Sequence, residues 1–205
     1  MSQRSKAKQK IARRYGVNLW AKPKSPVNKR KYKPGQHGPT ARVKQTEYGR
    51  QLAAKQILRG YYGNIGEKKF RFYYEEAMRR RGDTSEELIA QLESRLDAVV
   101  YRAGFVPSVF AARQMVSHGH VLLNGRRVNI GSCQVKPGDT IGLADKVHNL
   151  PVVVQAQNNK IGEMPDYLSA GSRKFEVVFV RVPALAEVPY PVKMEPGLVV
   201  EFYSR

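Results

Sequence analysis

The sequence predicts an α+β protein, with an N-terminal basic arm and helical domain followed by a small domain of two helices and an antiparallel hairpin or sheet. Three observations predict it. Fifteen of the 36 Lys and Arg residues, against one acid, fall in residues 1–50, a stretch interrupted by Pro and Gly. From residue 46 to 118 apolar side chains recur at the three-to-four spacing of helices. Beyond that the period shortens to two around Asn124-Gly125, the strongest short hairpin signal.

Each element has its own warrant. KPKSPVNKRKYKPGQHGPTARVK, residues 22–44, holds four prolines and no acid. Proline fixes φ and removes a donor, so this stretch is expected to be extended, and residues 1–45 as a whole read as a largely irregular arm. After Thr46, EYGRQLAAKQILRGYYG sets Tyr48, Leu52, Ile57 and Tyr61 near helical spacing and closes on glycine. EKKFRFYYEEAMRRRG sets Phe70, Tyr73, Tyr74 and Ala77 on one face and ends at Gly82. Thr84 followed three residues later by Glu87 reads as a capping box. Leu88, Ile89, Leu92, Leu96, Val99, Val100 and Ala103 then mark one apolar face of a helix expected from Ser85 to Ala103. Ser108 can cap a shorter helix, 109–118, with Gly119 as its left-handed stop.

HVLL and RRVNI flank Asn124-Gly125, where both turn residues must accept positive φ. KPGD at 136–139 is a second turn, and TIGLA reads as a strand pairing with the hairpin. Residues 147–157 read equally as helix or strand. RKFEVVFVRV and GLVVEFYSR read as strands, the latter docking the C-terminus.

A chain of 205 residues with 41% hydrophobic content can build one large or two modest cores. Its formal charge of +19 repels itself unless a polyanion is near, which makes nucleic acid the first partner class. The excess sits in the arm, whereas residues 151–205 hold six basic and six acidic residues. Cys133 stands alone, which excludes an intrachain disulfide and a cysteine-based zinc site and agrees with a reducing compartment. No apolar run approaches the ~20 residues of a membrane span. No hydrophobic segment follows the N-terminal charges as in a secretory signal. An Arg-rich, acid-poor start also fits a transit peptide, against which the basic character runs on to residue 44.

Candidate chemistry is concentrated in two places. In ARQMVSHGHVLLNGRRVNI, a helix end followed by a hairpin can bring Arg113, His118, Asn124, Arg126 and Arg127 to one surface, a phosphate clamp of forked guanidinium donors. The plainer alternative makes Arg126 and Arg127 solvated hairpin charges, which alternate faces along a strand and cannot both point the same way. Farther upstream, Tyr61, Tyr62, Tyr73 and Tyr74 interleave with Arg59, Lys68, Lys69 and Arg71, a mixture suited to stacking on bases with phosphate contact. Helical spacing favours a core for Phe70, Tyr73 and Ala77 over a stacking platform, and Arg79, Arg80 and Arg81 complement a helix C-terminus. Further RNA-contact candidates are Arg13, Arg14, Lys22, Lys29, Arg30, Lys31, Lys33, Gln36, His37, Arg42 and Lys44 in the arm, with Tyr48 and Lys55 beyond it.

Catalysis and cofactors have less behind them. His118 and His120 form an H-x-H pair without a third ligand nearby, and His37 and His148 are isolated, so no metal is expected. Cys133 has no placed base, and neither phosphate-cradling glycine motif occurs, so no cofactor and no enzyme activity is expected.

The order GQHG, YGRQLAAKQ, RGYYG, FYYEEA, LESRLDAVVYRAGF, AARQMVSHGHVLLNGRRVNI and VKPGD resembles the family of bacterial small-subunit ribosomal protein four over almost the whole chain. The resemblance implies a structural constituent of the small ribosomal subunit. It implies a primary 16S rRNA binder that nucleates assembly of the subunit body and contributes to translational accuracy beside ribosomal proteins five and twelve. In some members it implies repression of the protein's own mRNA, and the location it implies is the cytoplasmic ribosome. Carried onto this chain, it gives a helical domain at 46–95 to which 190–205 returns, and an RNA-binding domain at 96–189 with its two-helix and hairpin core at 96–143. The matching RNA-binding positions are Arg113, Gln114, Ser117, His118, Asn124, Gly125, Arg126 and Arg127. The N-terminal cysteines that hold zinc in some members are absent here, and residues 147–185 depart most from the family pattern.

Two rivals share the two-helix module or the charge. SRLD, residues 94–97, resembles the surroundings of the pseudouridine synthase aspartate, which makes an RNA-modifying enzyme with Asp97 as its carboxylate the alternative. Asp97, however, lies in the expected helix before the module, with no room for a catalytic domain after TIGLA, and a surface aspartate or a partner of a nearby arginine explains it. A small RNA chaperone leaves the first ninety residues unexplained.

Overall fold

The computed structural model describes residues 8–41, 44, 46–158 and 163–205; Arg42 lies outside them. In chain order the helices are α1 (Lys8–Tyr15), α2 (Pro26–Lys29), α3 (Glu47–Tyr61), α4 (Glu67–Arg79), α5 (Thr84–Glu93), α6 (Leu96–Arg102) and α7 (Val109–Ser117). Strands β1 (Val121–Leu123), β2 (Arg126–Val128) and β3 (Thr140–Leu143) follow, then a 3₁₀ turn at Asp145–Val147 and α8 (Pro151–Asn158). The chain ends with β4 (Leu168–Ala170), β5 (Glu176–Phe179), a second 3₁₀ turn at Leu185–Glu187 and α9 (Pro196–Tyr203). Two compact units result, residues up to Leu88 together with Tyr190–Arg205, and Ile89–Pro189.

The first unit is helical. Thr46 caps α3 by accepting from the Gly49 amide at 3.1 Å. Phe70, Tyr73, Tyr74 and Ala77 of α4 are buried on the face their spacing predicts. The arm is less irregular than its prolines imply. Residues 8–15 form α1 against α3, Ala12 and Leu19 are fully buried, and Trp20 Nε1 donates to the Tyr61 carbonyl at 3.3 Å. A few apolar residues among many charges supply that docking face, and burying them outweighs the repulsion along the arm.

The C-terminal segment corrects the strand expected there. GLVVEFYSR forms α9, started by Pro196, whose missing donor costs nothing in a first turn. Its β-branched composition favours a strand, but as a helix it lies along α3, burying Val199 and stacking Tyr203 on Tyr74 with ring centroids 4.8 Å apart. Tertiary packing overrides a propensity of this size.

The second unit is built on a five-stranded antiparallel sheet, ordered β2-β1-β3-β5-β4. Its core joins Leu96, Val99 and Val100 of α6 and Ala112, Met115 and Val116 of α7 to Val121, Ile141, Leu143, Val177 and Phe179 of the sheet. The single helix expected from Ser85 to Ala103 is two helices. The amides of Leu96 and Asp97 donate to the carbonyls of Cys133 and Gly131 at 2.9 and 3.1 Å, and Val135 N donates to Ser94 O at 2.7 Å. A continuous helix needs the 96 and 97 amides for its own ladder, so pairing with the 131–135 segment breaks it. The start also moves by one residue. Asp83 is the cap, accepting from the Ser85 amide at 2.8 Å, so the expected Thr84 capping box gives way to an Asp cap. Residues 147–157 resolve mostly into α8.

Candidate nucleic-acid interface

The geometry of the hairpin region begins with two turns locked together. Asn124 and Gly125 take φ of 50° and 76°, the conformation their sequence demands. Asn124 then fastens the turn to KPGD, donating from Nδ2 to Asp139 Oδ1 and accepting from the Thr140 amide at Oδ1, both at 2.8 Å. Its side chain thereby holds the scaffold rather than standing ready for a base edge.

Helix α7 is capped by Ser108, which accepts from the Ala111 amide, and it ends in Gly119 at φ 65°. Arg127 reaches back to this end, its Nη2 donating to the His118 carbonyl at 3.1 Å. The guanidinium lies over Gly119 so closely that a Cβ there would sit 2.4 Å from Arg127 Nε. Helix end and hairpin thus meet through Arg127, with Gln114, Ser117, His118 and Arg126 all exposed around them. Opposite β1, Arg126 pairs with Leu123 and Arg127 with Leu122, so the two arginines project to alternate faces of the sheet.

Arg113 does not join that surface. It is buried, and its Nε donates to Asp97 Oδ2 at 2.8 Å. Arg95 grips the same carboxylate with both Nε and Nη2, at 2.9 and 2.7 Å. A carboxylate between two buried arginines neutralises charge that burial would otherwise make costly. A second buried pair lies beside it, Arg102 on both oxygens of Glu93, with the Tyr167 hydroxyl donating to Glu93 at 2.9 Å. The proposed clamp therefore loses one of its five residues to the core and one to the turn.

The helical unit divides its candidates the same way. Tyr61 and Tyr62 are 1% and 2% exposed, too buried to stack on bases, and the Tyr62 hydroxyl shares a hydrogen bond with that of Tyr190. Lys55 and Arg59 both donate to the Glu67 carboxylate at 2.7 Å. Burial pushes the Glu67 carboxyl up, but hydrogen bonds from Lys55 and Tyr203 outweigh it and hold the group below the usual carboxylate range. Arg13 is tied to the carbonyls of Tyr32 and Lys33. Arg14, Lys22, Lys29, Arg30, Lys31, Lys33, Gln36, His37, Lys44, Tyr48, Lys68, Lys69 and Arg71 remain exposed. Among these, Arg71 pairs with Glu75 and Lys69 lies over the Phe72 ring.

Two residues on the segments that flank the helix end, His120 and Lys146, were not among the contacts expected from the sequence. Both sit beside the helix end through the Ala144 amide, which donates to the His120 carbonyl at 3.0 Å. The H-x-H spacing pointed to His120, but only as half of a metal pair. Among the described residues no group of three or more His, Cys, Asp or Glu side chains could hold a metal ion, and no helix is long and apolar enough to cross a membrane.

A family profile described as "Ribosomal protein S4/S9 N-terminal domain" matches residues 3–93, and one described as "S4 domain" matches residues 94–141. Curated relatives include the small ribosomal subunit protein uS4 of Acidiphilium cryptum, 59% identical over 205 residues, and that of Phenylobacterium zucineum, 58% identical over 204. The same protein of Caulobacter vibrioides is 58% identical over 204 residues, and each of the three matches covers 100% of both chains.

Proposed function

We propose a function from one premise: this chain belongs to the family of small ribosomal subunit protein uS4. It is a structural constituent of the small ribosomal subunit, and it binds rRNA through its S4 domain. The observation that supports the site is the coincidence of that domain, residues 94–141, with the surface where Arg126, Arg127 and His118 stand exposed around the end of α7.

The finer reading is that the protein binds 16S rRNA early, nucleates assembly of the subunit body and tunes decoding accuracy beside ribosomal proteins five and twelve, in the bacterial cytoplasm. Binding to its own messenger uses the same surface in this reading. Exposed cations of the arm and helices neutralise phosphates and supply most of the salt-dependent affinity. The rigid helix end and hairpin supply selectivity by fitting the shape of a folded RNA junction. The uridine-isomerising alternative is disfavoured by Asp97, which is 1% exposed between Arg95 and Arg113 and has no approach for a base.

A filter-binding salt titration against the 16S rRNA five-prime domain, with unrelated structured RNA as competitor, tests the reading. Tight binding that survives competitor and falls by roughly 0.7 to 0.9 in log-log slope per phosphate neutralised is expected. Equal binding to both RNAs would reduce the protein to a nonspecific polycation.

A further inference from the structure

Asn124-Gly125 is the one Asn-Gly pair in the sequence. Such a pair carries its own reactivity, because the amide nitrogen of the second residue can attack the asparagine side-chain carbon, and glycine has no Cβ to shield that nitrogen. Both residues are exposed, and a Cβ added to Gly125 would meet nothing within 4 Å, so a ring has room to close and water has access. Asn64 also takes a positive φ, 58°, but β-branched Ile65 follows it and crowds the corresponding nitrogen.

The turn lock opposes the reaction. Asn124 Nδ2 donates to Asp139 Oδ1 and Asn124 Oδ1 accepts from the Thr140 amide, both at 2.8 Å, which fastens both ends of the side-chain amide. Asp139 is itself held, its Oδ2 accepting from the Lys136 amide at 2.8 Å and its own amide donating to the Lys136 carbonyl, so the anchor does not follow the side chain. Ring closure needs the Gly125 nitrogen within about 3 to 3.5 Å of Asn124 Cγ and over the face of the amide. Turning the amide to that attitude breaks both bonds. We propose that Asn124 is a site of spontaneous deamidation whose rate is set by the Asp139-Thr140 lock, and that its products cannot re-form the lock.

In the opened turn the Gly125 amide gives up its proton and its nitrogen bonds to Asn124 Cγ. The Cγ–Nδ2 bond breaks, and the side-chain nitrogen leaves as ammonia with that proton, giving a cyclic imide. Water then opens the imide at either carbonyl. One opening yields aspartate; the other yields isoaspartate, whose main chain runs through Cγ and is longer by a methylene. The net change exchanges NH2 for OH, consumes water and requires no oxidant. The aspartate product has no donor for Asp139 and sets a second carboxylate against the first. The isoaspartate product lengthens the two-residue turn that registers Leu123 with Arg126. Either change falls beside Arg126 and Arg127, so a deamidated chain is a poorer rRNA ligand, a consequence that rests on the RNA-binding reading above.

The test incubates purified full-length protein at mildly alkaline pH, in buffer and in urea. Mass spectrometry follows the tryptic peptide 114–126, in which Asn124 is the only asparagine. Deamidation in buffer is expected to run roughly ten- to a hundredfold slower than in urea, the factor implied by two hydrogen bonds of which one is to a carboxylate. Asp139→Ala in buffer is expected to close most of that gap. Equal rates in buffer and in urea overturn the gate, as does an Asp139→Ala protein that folds and deamidates no faster than the wild type. The wild-type comparison decides the matter even where that variant folds poorly, and no mass gain in urea removes the site altogether. Asn124→Asp imitates one product and is expected to lower the urea midpoint and to bind a 16S five-prime-domain transcript about tenfold more weakly. A wild-type midpoint in Asn124→Asp overturns the lost lock. A lowered midpoint with undiminished selective binding sustains the modification site and counts instead against RNA contacts at this hairpin.

Discussion

Arg113 on α7 and Arg127 on β2 lie in the same module and carry the same charge, yet the structure uses them in opposite ways. Around α6 the arginines point inward: Arg95 and Arg113 share Asp97, and Arg102 grips Glu93 under the Tyr167 hydroxyl. On the hairpin they point outward, with Arg126 and Arg127 exposed. The difference teaches that a charge of +19 does not count phosphate contacts. Part of it is internal cement, worth keeping only while its carboxylates are present, and part is a ligand for a partner.

The comparison breaks most visibly at Asp97. Asp97→Ala leaves Arg95 and Arg113 buried without their shared counter-charge, an expected loss of about 3 to 5 kcal/mol of stability, read from the urea midpoint. An unmoved midpoint would mean that the inward arginines do no structural work, and would reopen Asp97 as a functional carboxylate. The outward pair should behave in reverse. Arg126→Ala with Arg127→Ala is expected to weaken rRNA binding by about 1 to 3 kcal/mol, with a stability loss of only about 0.5 to 1.5 kcal/mol from the Arg127 bond to the His118 carbonyl, checked by filter binding at matched salt beside a denaturation curve. Affinity that does not change would make them solvated hairpin charges. The smallest effect belongs to Arg71, whose 3.1 Å pair with Glu75 is exposed on α4. Arg71→Ala should cost only about 0.3 to 0.5 kcal/mol by the same denaturation assay, and a loss approaching that of Asp97→Ala would erase the distinction between surface and buried pairs.

Much of the scaffold was legible because it is locally encoded. The Ser108 cap, the Gly119 stop and the positive-φ Asn124-Gly125 turn each follow from what a few neighbouring residues can do. The site was legible as a region but not residue by residue. Lys55, Arg59 and Arg113 have the composition of phosphate contacts, and only their carboxylate partners, twelve, eight and sixteen residues away, disclose otherwise. Tyr61 and Tyr62 likewise look like stacking platforms until the neighbouring helices cover them.

By itself, then, the sequence determined the α+β class, the helical spans of α3, α4 and α7, the hairpin and its turn, the likeness to a ribosomal family and the excess of positive charge, all of them properties of local stereochemistry and composition. Only the tertiary structure decided that one expected helix breaks at Ser94-Arg95, that the last strand is a helix, that residues 8–15 of the arm form a docked α1, and which arginines face inward. Those outcomes depend on long-range partners, the 131–135 segment for the break, α3 for both α1 and α9, and Asp97 and Glu93 for the arginines. Hydrogen bonds and ion pairs between distant residues outweigh local preferences of a fraction of a kcal/mol, and a single chain read in order does not say which distant residues will meet.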